Sequence, residues 1–211
     1  MKPVFVSAEE AVKLIKSEDR VYIHGSAATP HLLLNALAKS SSSLRNVELV
    51  AISTLGKMEI ASKDYASSFY FNSLFVSDNV REAINSERGE YIPIFLSEIN
   101  RLFEKKILKL DVAMVHLSTP DKHGFCSLGT SVDVARSAII HAEKVIAQIN
   151  PNMPRTHGDG FVHLSEIDAL VECSDPLPEV IYGNRITQAD MAIGKYCAGL
   201  IEDGSTLQMG I

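Results

Sequence analysis

Small and polar residues that could serve a reaction gather in three segments, each of which follows a run of apolar, strand-like residues. The first segment is Gly25-Ser26-Ala27-Ala28-Thr29-Pro30. Its small side chains would let a ligand approach the backbone. Pro30 suits the first turn of a helix, whose free N–H groups can hold an anion or an oxyanion. The segment therefore predicts a binding site lined by backbone; a tight strand–helix turn without a ligand is the alternative.

The other two segments are longer loops. Residues 119–129 are polar and interrupted by glycines, which is typical of a loop that faces a ligand. His123 in this loop could act as an acid or base, with an exposed turn histidine as the alternative. Residues 150–160 contain two prolines and two glycines with polar side chains between them, and a rigid polar loop can hold side chains in place for binding. The candidate residues of a substrate cleft are Gly25, Ser26, Ala27, Ala28, Asn152, Met153, Arg155, Thr156 and His157.

Several familiar catalytic patterns do not occur in the sequence. The first segment has neither the Gly-x-Gly-x-x-Gly of a dinucleotide site nor the Gly-Lys-Ser/Thr of a phosphate loop. No serine stands in a Gly-x-Ser-x-Gly elbow, and His157 and Asp159 are too close in sequence to pair as base and orienting carboxylate. The seven histidines lack metal-ligand spacing, so we predict no metal site. Glu98 lies where a helix begins, which is a structural position for a carboxylate, so we assign no nucleophile.

Along the chain, short apolar runs typical of strands alternate with stretches of helical periodicity, and these elements must position the three segments. Residues 112–115 are continuously apolar, as expected for a strand covered on both faces of a sheet. The alternation predicts an α/β fold with a mostly parallel sheet and flanking helices, in which ligands bind at the carboxyl ends of strands. We predict strands at 21–24, 47–52, 69–76, 91–96, 112–117, 145–149 and 170–173, and helices at 8–16, 30–38, 80–85, 97–106, 132–141 and 187–201.

Composition narrows the class of protein. The 211 residues are 46% hydrophobic, which is ample for a core, and the formal net charge of -6 argues against a nucleic-acid surface. We predict no membrane span because no apolar run is long enough, and the first residues turn polar too early for a signal peptide. Cys126, Cys173 and Cys197 form neither a disulfide framework nor a Cys-x-x-Cys pair. We therefore expect buried thiols in a cytoplasmic protein.

The two ends of the chain share one pattern. Residues 8–25 and residues 186–211 both contain a helix-like stretch ending in Leu-Ile, then acidic residues, then a strand-like run that reaches a glycine. Matching openings predict two similar α/β domains, of which only the first is complete here. Residues 175–178, Asp-Pro-Leu-Pro, are typical of a linker. We predict a first domain at residues 1–180, and at 181–211 the linker, a helix capped by Thr187 and the first strand of a truncated second domain.

Five segments of the chain resemble one known family. Asn150-Pro151-Asn152-Met153-Pro154-Arg155-Thr156-His157-Gly158-Asp159 is similar to a signature segment of the acetyl-CoA hydrolase/transferase family, which includes the 4-hydroxybutyrate type of acyl-CoA:carboxylate CoA-transferase. Further similarity lies in order along the chain at residues 25–30, 91–99, 120–129 and 203–211. Residues 53–67 depart from the family pattern, and this departure concerns the choice of substrate.

The resemblance implies the CoA-transferase fold, with this chain as the first of two similar domains facing each other across a cleft. It implies ping-pong chemistry through a glutamate expected after Ile211, so no catalytic residue is assigned here. Gln208, Gly210 and Ile211 match the start of the family's CoA-binding loop. The implied substrates are coenzyme A as acyl-CoA and small carboxylates such as acetate, 4-hydroxybutyrate or butyrate. No metal, nucleic acid or membrane partner is implied, and we expect a homo-oligomer.

Three alternatives stay open. An acyl-CoA hydrolase of the same family would differ only in letting water intercept the intermediate. A non-catalytic half that pairs with a separate catalytic subunit would also fit the length of the chain. A sugar-phosphate isomerase of the same broad fold would need Lys or Arg clustered around a phosphate loop, and Gly25–Pro30 has neither.

Overall fold

A parallel sheet forms the centre of the structure, a computed structural model that describes residues 4–179 and 186–208. The strands of these residues are β1 (Val4–Phe5), β2 (Arg20–Ile23), β3 (Val47–Ala51), β4 (Phe69–Ser73), β5 (Gly89–Tyr91), β6 (Val112–Ser118), β7 (Phe125–Ser127), β8 (Lys144–Asn150), β9 (Phe161–His163) and β10 (Ala169–Glu172). Eight of them pair in parallel in the order β1-β10-β8-β6-β2-β3-β4-β5. β7 and β9 form a separate antiparallel pair.

Helices cover both faces of the sheet. The α-helices of the described residues are α1 (Ala8–Ala11), α2 (His31–Lys39), α3 (Arg81–Asn85), α4 (Leu96–Glu104), α5 (Ala135–His141) and α6 (Gln188–Ala198). Because successive strand residues point to opposite faces, Val21 packs into the core beneath α1 and α2 while Tyr22 packs into the core beneath α4 and α5. All seven residues of β6 are buried. The predicted α/β fold with a mostly parallel sheet and flanking helices is confirmed.

The structure corrects several predicted elements. The predicted strand at 91–96 is wrong, because β5 ends at Tyr91 and α4 already begins at Leu96. Pro93 lies between them, and a proline removes a backbone donor, which confines it to strand ends and sheet edges. The predicted helix at 132–141 begins later, at Ala135, where the carboxylate of Asp133 accepts the first N–H groups. The predicted helix at 8–16 is α for one turn only and continues as a 3₁₀ turn at Val12–Leu14.

Only one of the three cysteines fits the prediction of buried thiols. Cys126 on β7 is buried, and burial raises the pKa of its thiol to about 11. Cys173 is only half-buried and Cys197 is exposed. The prediction is therefore wrong for these two residues.

The chain divides into two compact units, one that ends at Pro178 and one that begins at Glu179. In the second unit, the Thr187 side chain accepts the N–H of Asp190, and the Asp190 carboxylate accepts the N–H of Thr187 at 2.8 Å. This reciprocal capping box starts α6, as the cap at Thr187 predicted. Residues 205–208 form no strand, and the rest of the predicted strand lies outside the described residues. None of the described helices is long and apolar enough to cross a membrane.

Candidate functional site

The carboxyl ends of the neighbouring strands β2 and β6 lie side by side at the point where the strand order of the sheet reverses. From β2 the chain adds β3, β4 and β5 on one side, and β6 then returns to the other side of β2, followed outward by β8 and β10. Such a switch point in an open parallel sheet leaves a crevice in which ligands bind. Residues 25–30 follow β2 and residues 119–129 follow β6, so two of the predicted segments flank this crevice. Residues 150–160 follow β8, the neighbour of β6.

The first segment keeps a conformation that leaves backbone donors free. Ser26 has a left-handed φ of 52°, and its N–H donates to the carbonyl of Ser53 at 2.8 Å. The Thr29 hydroxyl donates back to the Ser26 carbonyl at 2.7 Å, which closes the turn before α2. Among the described residues, the N–H groups of Gly25 and Ala27 donate to no acceptor. The segment therefore offers two backbone donors to an anion or oxyanion.

Gly25 has close neighbours in the loop after β3 and in the segment before α5. A Cβ added at Gly25 would lie 3.0 Å from the Ser53 carbonyl oxygen and 3.4 Å from Oδ2 of Asp133. That same Oδ2 accepts a hydrogen bond from the Ser131 hydroxyl at 2.7 Å. The other carboxylate oxygen of Asp133 accepts the Ala135 N–H at 3.1 Å. The start of α5 thus fixes Asp133 beside the first segment.

Two candidates of the third segment face inward. Met153 is buried, and a Cβ added at Gly129 would lie 2.1 Å from its sulfur. The Thr156 hydroxyl donates to the Gly129 carbonyl at 2.9 Å, and the Thr156 N–H donates to the Ser127 hydroxyl at 3.0 Å. Residues 129–133 therefore contact the third segment at one end and the first segment at the other. We call residues 129–133 the bridge; it was not predicted, because both contacts join residues that are far apart in the chain.

Three other candidates of the third segment make surface contacts. Arg155 donates to the Asp121 carboxylate at 2.8 Å, and its guanidinium lies 4.8 Å from the centre of the Phe161 ring. His157 meets the same ring edge-on at 5.6 Å between ring centres. The Asn152 side chain donates to two backbone carbonyls, at residues 174 and 175. These contacts hold the loop against the antiparallel pair β7–β9 and the end of β10 rather than against residues 25–30.

Two buried histidines at the switch point were not predicted. His24 directly precedes the first segment, and His116 lies on β6 opposite Gln148 of β8. The backbone N–H of His116 donates to Nδ1 of His24 at 3.2 Å. Burial lowers the pKa of His24, and burial together with the charge of His24 lowers the pKa of His116 to about 4. Both imidazoles are therefore neutral near pH 7.

Two open cavities adjoin the loop after β3. One, of about 430 Å³, is lined by His31 and Asn35 of α2, by residues 56, 57 and 59, and by residues 176–178. Burial lowers the pKa of His31, and its Nε2 is buried without a hydrogen bond among the described residues. The other cavity, of about 670 Å³, lies between residues 57–65 and 79–88 and mixes acidic with basic side chains. Both include part of residues 53–67, for which the sequence predicts a departure from the family pattern.

The remaining site predictions concern the second unit. Gln208 is exposed and lies outside any helix or strand, and the predicted CoA contacts Gly210 and Ile211 lie outside the described residues. Within residues 4–179 and 186–208, no group of three or more His, Cys, Asp or Glu side chains is arranged to hold a metal ion.

Comparisons with known proteins find similar sequences and structures over nearly the whole length of the chain. A family model described as the acetyl-CoA hydrolase/transferase N-terminal domain matches residues 2–180. The 4-hydroxybutyrate coenzyme A transferase of Clostridium kluyveri is 43% identical over 210 residues, which are 100% of this chain and 49% of that protein. The succinyl-CoA:acetate/propanoyl-CoA:succinate CoA transferase of Fasciola hepatica is 41% identical over 208 residues, 97% of this chain and 43% of that protein. RipA from Yersinia pestis superimposes with a TM-score of 0.89 at 29% identity, over 98% of this chain and 50% of that chain.

The strand order places the chain among the open parallel α/β sheets that have a switch point. Within that class, the chain belongs to the acetyl-CoA hydrolase/transferase family, and its sheet is the CoA-transferase fold. The family and fold that the five segments predict are confirmed. The chain spans about half the length of the curated relatives it matches, 49% and 43% for the two named above.

Proposed function

We propose that the whole protein is an acyl-CoA:carboxylate CoA-transferase. The observation that carries the proposal is the first segment, where the N–H groups of Gly25 and Ala27 find no acceptor among the described residues, at the switch point of a sheet that belongs to this family. The names of the relatives support it, because they describe transfer of CoA to 4-hydroxybutyrate or between succinate, acetate and propanoate. A cytoplasmic homo-oligomer is part of the proposal.

The reaction would pass through a glutamate beyond the residues of this chain. Its carboxylate attacks the thioester carbonyl of acyl-CoA, the C–S bond breaks, and CoA leaves as a thiolate while the acyl and glutamyl groups remain joined as a mixed anhydride. The thiolate then attacks the glutamyl carbonyl and expels the acyl group as a carboxylate, which leaves a glutamyl-CoA thioester. The incoming carboxylate runs the same two steps in reverse. A covalent carboxylate intermediate divides one difficult exchange into easier steps.

This chain would supply one wall of the cleft. Each attack turns a carbonyl oxygen into an oxyanion, and the free N–H groups of Gly25 and Ala27 are suited to stabilise that charge. Met153 and Thr156 would support this wall from the third segment through residues 129–133. Gln208, Gly210 and Ile211 would begin the CoA-binding side. The carboxylate substrate would be small, of the acetate, 4-hydroxybutyrate or butyrate class.

An acyl-CoA hydrolase is the second candidate, because the description of the matching family covers both activities. The two differ in the acceptor. In a transferase the CoA of the glutamyl thioester ends on a carboxylate, whereas in a hydrolase water attacks the glutamyl thioester and free CoA is released. The fate of CoA with and without acetate therefore separates them.

The test uses the whole gene product. We expect a mass about twice the 23.1 kDa of this chain, since the matched relative is about twice as long. Butyryl-CoA with acetate should give acetyl-CoA and butyrate, with free CoA at low levels. Borohydride added with butyryl-CoA should inactivate the enzyme by reducing the glutamyl thioester, and borohydride alone should not. Free CoA formed at the same rate without acetate would favour the hydrolase. A native product of 23.1 kDa without transfer activity would contradict the proposal and favour a half that needs a partner subunit.

The 211-residue chain alone gives a second test. We expect it to form no glutamyl-CoA adduct and to bind CoA weakly, because the proposed nucleophile and most CoA contacts lie outside it. Mass spectrometry after incubation with butyryl-CoA checks the adduct, and calorimetry checks CoA binding. A covalent CoA adduct on a glutamate of this chain would overturn the proposed location of the nucleophile.

A further inference from the structure

We propose that Asp133 is a positioning residue. Its carboxylate fixes residues 131–133 against the carboxyl end of β2 and thereby fixes the conformation of the first segment, in which the N–H groups of Gly25 and Ala27 find no acceptor among the described residues. The catalytic importance of that conformation rests on the proposed function. The contacts themselves do not, and they can be tested without substrate.

Asp133 has an unusual backbone conformation. Its φ is 22°, a positive value that a residue with a side chain rarely adopts. Strained residues of this kind persist only where the surrounding contacts hold them, and they cluster at functional sites. Asp133 is exposed, so close packing in the core does not hold it in this conformation. The hydrogen bonds of its carboxylate do.

Both carboxylate oxygens of Asp133 accept hydrogen bonds from nearby donors. Oδ1 accepts the N–H groups of Val134 and Ala135, the latter at 3.1 Å. Oδ2 accepts the Ser131 hydroxyl at 2.7 Å. Hydrogen bonds to an ionised acceptor are stronger than those between neutral groups. The carboxylate therefore joins the start of α5 to Ser131 and closes the turn between them.

Two buried side chains of β2 contact this turn from the sheet. Tyr22 and His24 are two positions apart, so their side chains point to the same face. The Tyr22 hydroxyl donates to Oδ1 of Asp133 at 3.4 Å. Burial and the nearby carboxylate raise the pKa of Tyr22 well above its usual value, so the hydroxyl keeps its proton. Nε2 of His24 lies 2.5 Å from the Ser131 carbonyl oxygen, which can only accept, so this nitrogen donates. The turn is thus joined to the end of β2 at two points.

Gly25 packs against the same turn. A Cβ added at Gly25 would lie 3.4 Å from Oδ2 of Asp133 and 3.8 Å from the Ser131 hydroxyl oxygen. The same Cβ would lie 3.0 Å from the Ser53 carbonyl oxygen, which accepts the Ser26 N–H at 2.8 Å. If the turn relaxes, Gly25 loses a fixed neighbour and the hydrogen bond of the next residue is no longer held in place. Loss of the Asp133 carboxylate should therefore change the conformation of the whole first segment.

The test compares three variants of the labelled 211-residue chain with the native chain. Asp133→Gly removes the carboxylate, and glycine takes a positive φ without strain, so the turn itself can still form. Asp133→Asn keeps an oxygen that can accept the α5 N–H groups and an amide that can bond to the Ser131 hydroxyl. Asp19→Gly is the matched control at the opposite end of β2, where the Asp19 carboxylate accepts the Lys16 N–H at 2.8 Å. Circular dichroism establishes that each variant is folded.

The readouts are the backbone amide resonances of Ala27 and Thr29 and the hydrogen exchange of the Ser26 N–H. Gly25 is left out because it lies beside the substituted side chain, so its resonance would change in any conformation. Exchange is measured relative to the amides of β6, so that a general loss of stability cancels. We expect D133G to displace both resonances and to speed the Ser26 exchange about tenfold. D133N should stay close to the native chain, and D19G should match it.

Three results would overturn the proposal. The first is a folded D133G that keeps the native resonances and the native relative exchange rate. The second is a D19G chain that changes them as much as D133G does. The third is a D133N chain that behaves like D133G, because the contacts that asparagine retains would then not hold the segment.

A second readout uses the whole enzyme. D133G should lower kcat for CoA transfer about 10–100-fold and change KM for the carboxylate less than about threefold, because misplaced N–H groups fail an oxyanion that exists only during the reaction. D133N should recover most of kcat, and D19G should keep both constants. If the native whole protein has no transferase activity, the proposed function fails and the resonances still decide the role of Asp133. If activity is present and the resonances do not respond, only the positioning role fails.

Discussion

Replacing Gly129 by alanine should destabilise the first unit, because the added methyl group would push residues 129–133 away from the third segment at residues 150–160. Gly129 has a φ of 66°, in the left-handed region that costs a residue with a Cβ about 1–2 kcal/mol. The added Cβ would lie 2.1 Å from the sulfur of Met153 and 3.2 Å from the Pro154 carbonyl oxygen. Real Cβ atoms do not approach that closely, so Met153 must move, and forced repacking of a buried side chain costs about 1–3 kcal/mol. We expect G129A to lower the free energy of unfolding by about 2–5 kcal/mol in total.

A double-mutant cycle separates the two contributions. Met153→Ala removes the sulfur and should itself cost about 2–5 kcal/mol, because a buried methionine leaves a cavity. In the M153A background, G129A should cost only the backbone contribution of about 1–2 kcal/mol. The cycle therefore predicts a coupling energy of about 1–3 kcal/mol between the two positions. G158A gives an upper reference for backbone strain without a clash, since Gly158 has a φ of 105°, further from the left-handed region than Gly129, and its added Cβ would meet no atom within 4 Å.

The measurement is equilibrium unfolding in urea, followed by circular dichroism and tyrosine fluorescence for each variant of the chain. Coincident transitions from the two probes justify a free energy for each variant. If G129A costs the same in the native and M153A backgrounds, the clash does not exist and Met153 does not pack beneath Gly129. If G129A costs more than G158A, the excess comes from the close approach rather than from backbone strain.

Three further predictions concern acid stability, the surface ion pair and the first segment. In the unfolded chain His116 binds a proton below about pH 6.5, whereas in the native chain it stays neutral down to about pH 4. The free energy of unfolding should therefore fall by up to about 3 kcal/mol as the pH is lowered across this window, and by less in H116N. Urea titrations at several pH values measure this change. Arg155→Ala should cost at most about 1 kcal/mol of unfolding free energy, because its pair with Asp121 is a third exposed, and a larger loss would show that the ring contact dominates. Gly25→Ala should lower kcat/KM of the whole enzyme about 10–100-fold, because its Cβ would press on the Ser53 carbonyl at 3.0 Å and shift the free N–H groups; an unchanged kcat/KM would exclude the segment from the reaction.

The sheet could be predicted from the sequence because its strongest signal is local. The run at residues 112–115 is apolar on both faces, and in the structure both faces of β6 are buried. The antiparallel pair β7–β9 could not be predicted, because each strand has three residues and Phe125 pairs with His163 across a long stretch of chain. Such short runs carry too little periodicity to distinguish them from loop. The predicted strand at 91–96 was wrong for a related reason. The β-branched residues around Pro93 resemble a strand, whereas the edge strand β5 ends at Tyr91.

The candidate site was predicted only as three loops. Small residues and a proline after an apolar run were enough to indicate residues 25–30, since a strand followed by a helix N-terminus has a recognisable pattern. The orientation of side chains in the third segment was not accessible. Met153 and Thr156 face inward while Arg155 and His157 lie against Phe161, because their partners come from distant parts of the chain.

The buried histidines His24 and His116 could not be singled out from the sequence. In the sequence, His24 and His116 look like ordinary residues at the ends of apolar strands. In the structure, a parallel register brings β2 beside β6, and β6 beside β8, so that the His116 backbone N–H donates to the His24 ring and the Gln148 amide nitrogen lies 3.3 Å from the His116 ring. Buried polar side chains cost stability unless each polar atom finds a partner, and Nδ1 of His116 and Oε1 of Gln148 have none among the described residues. Neither side chain is therefore explained by the stability of the sheet alone.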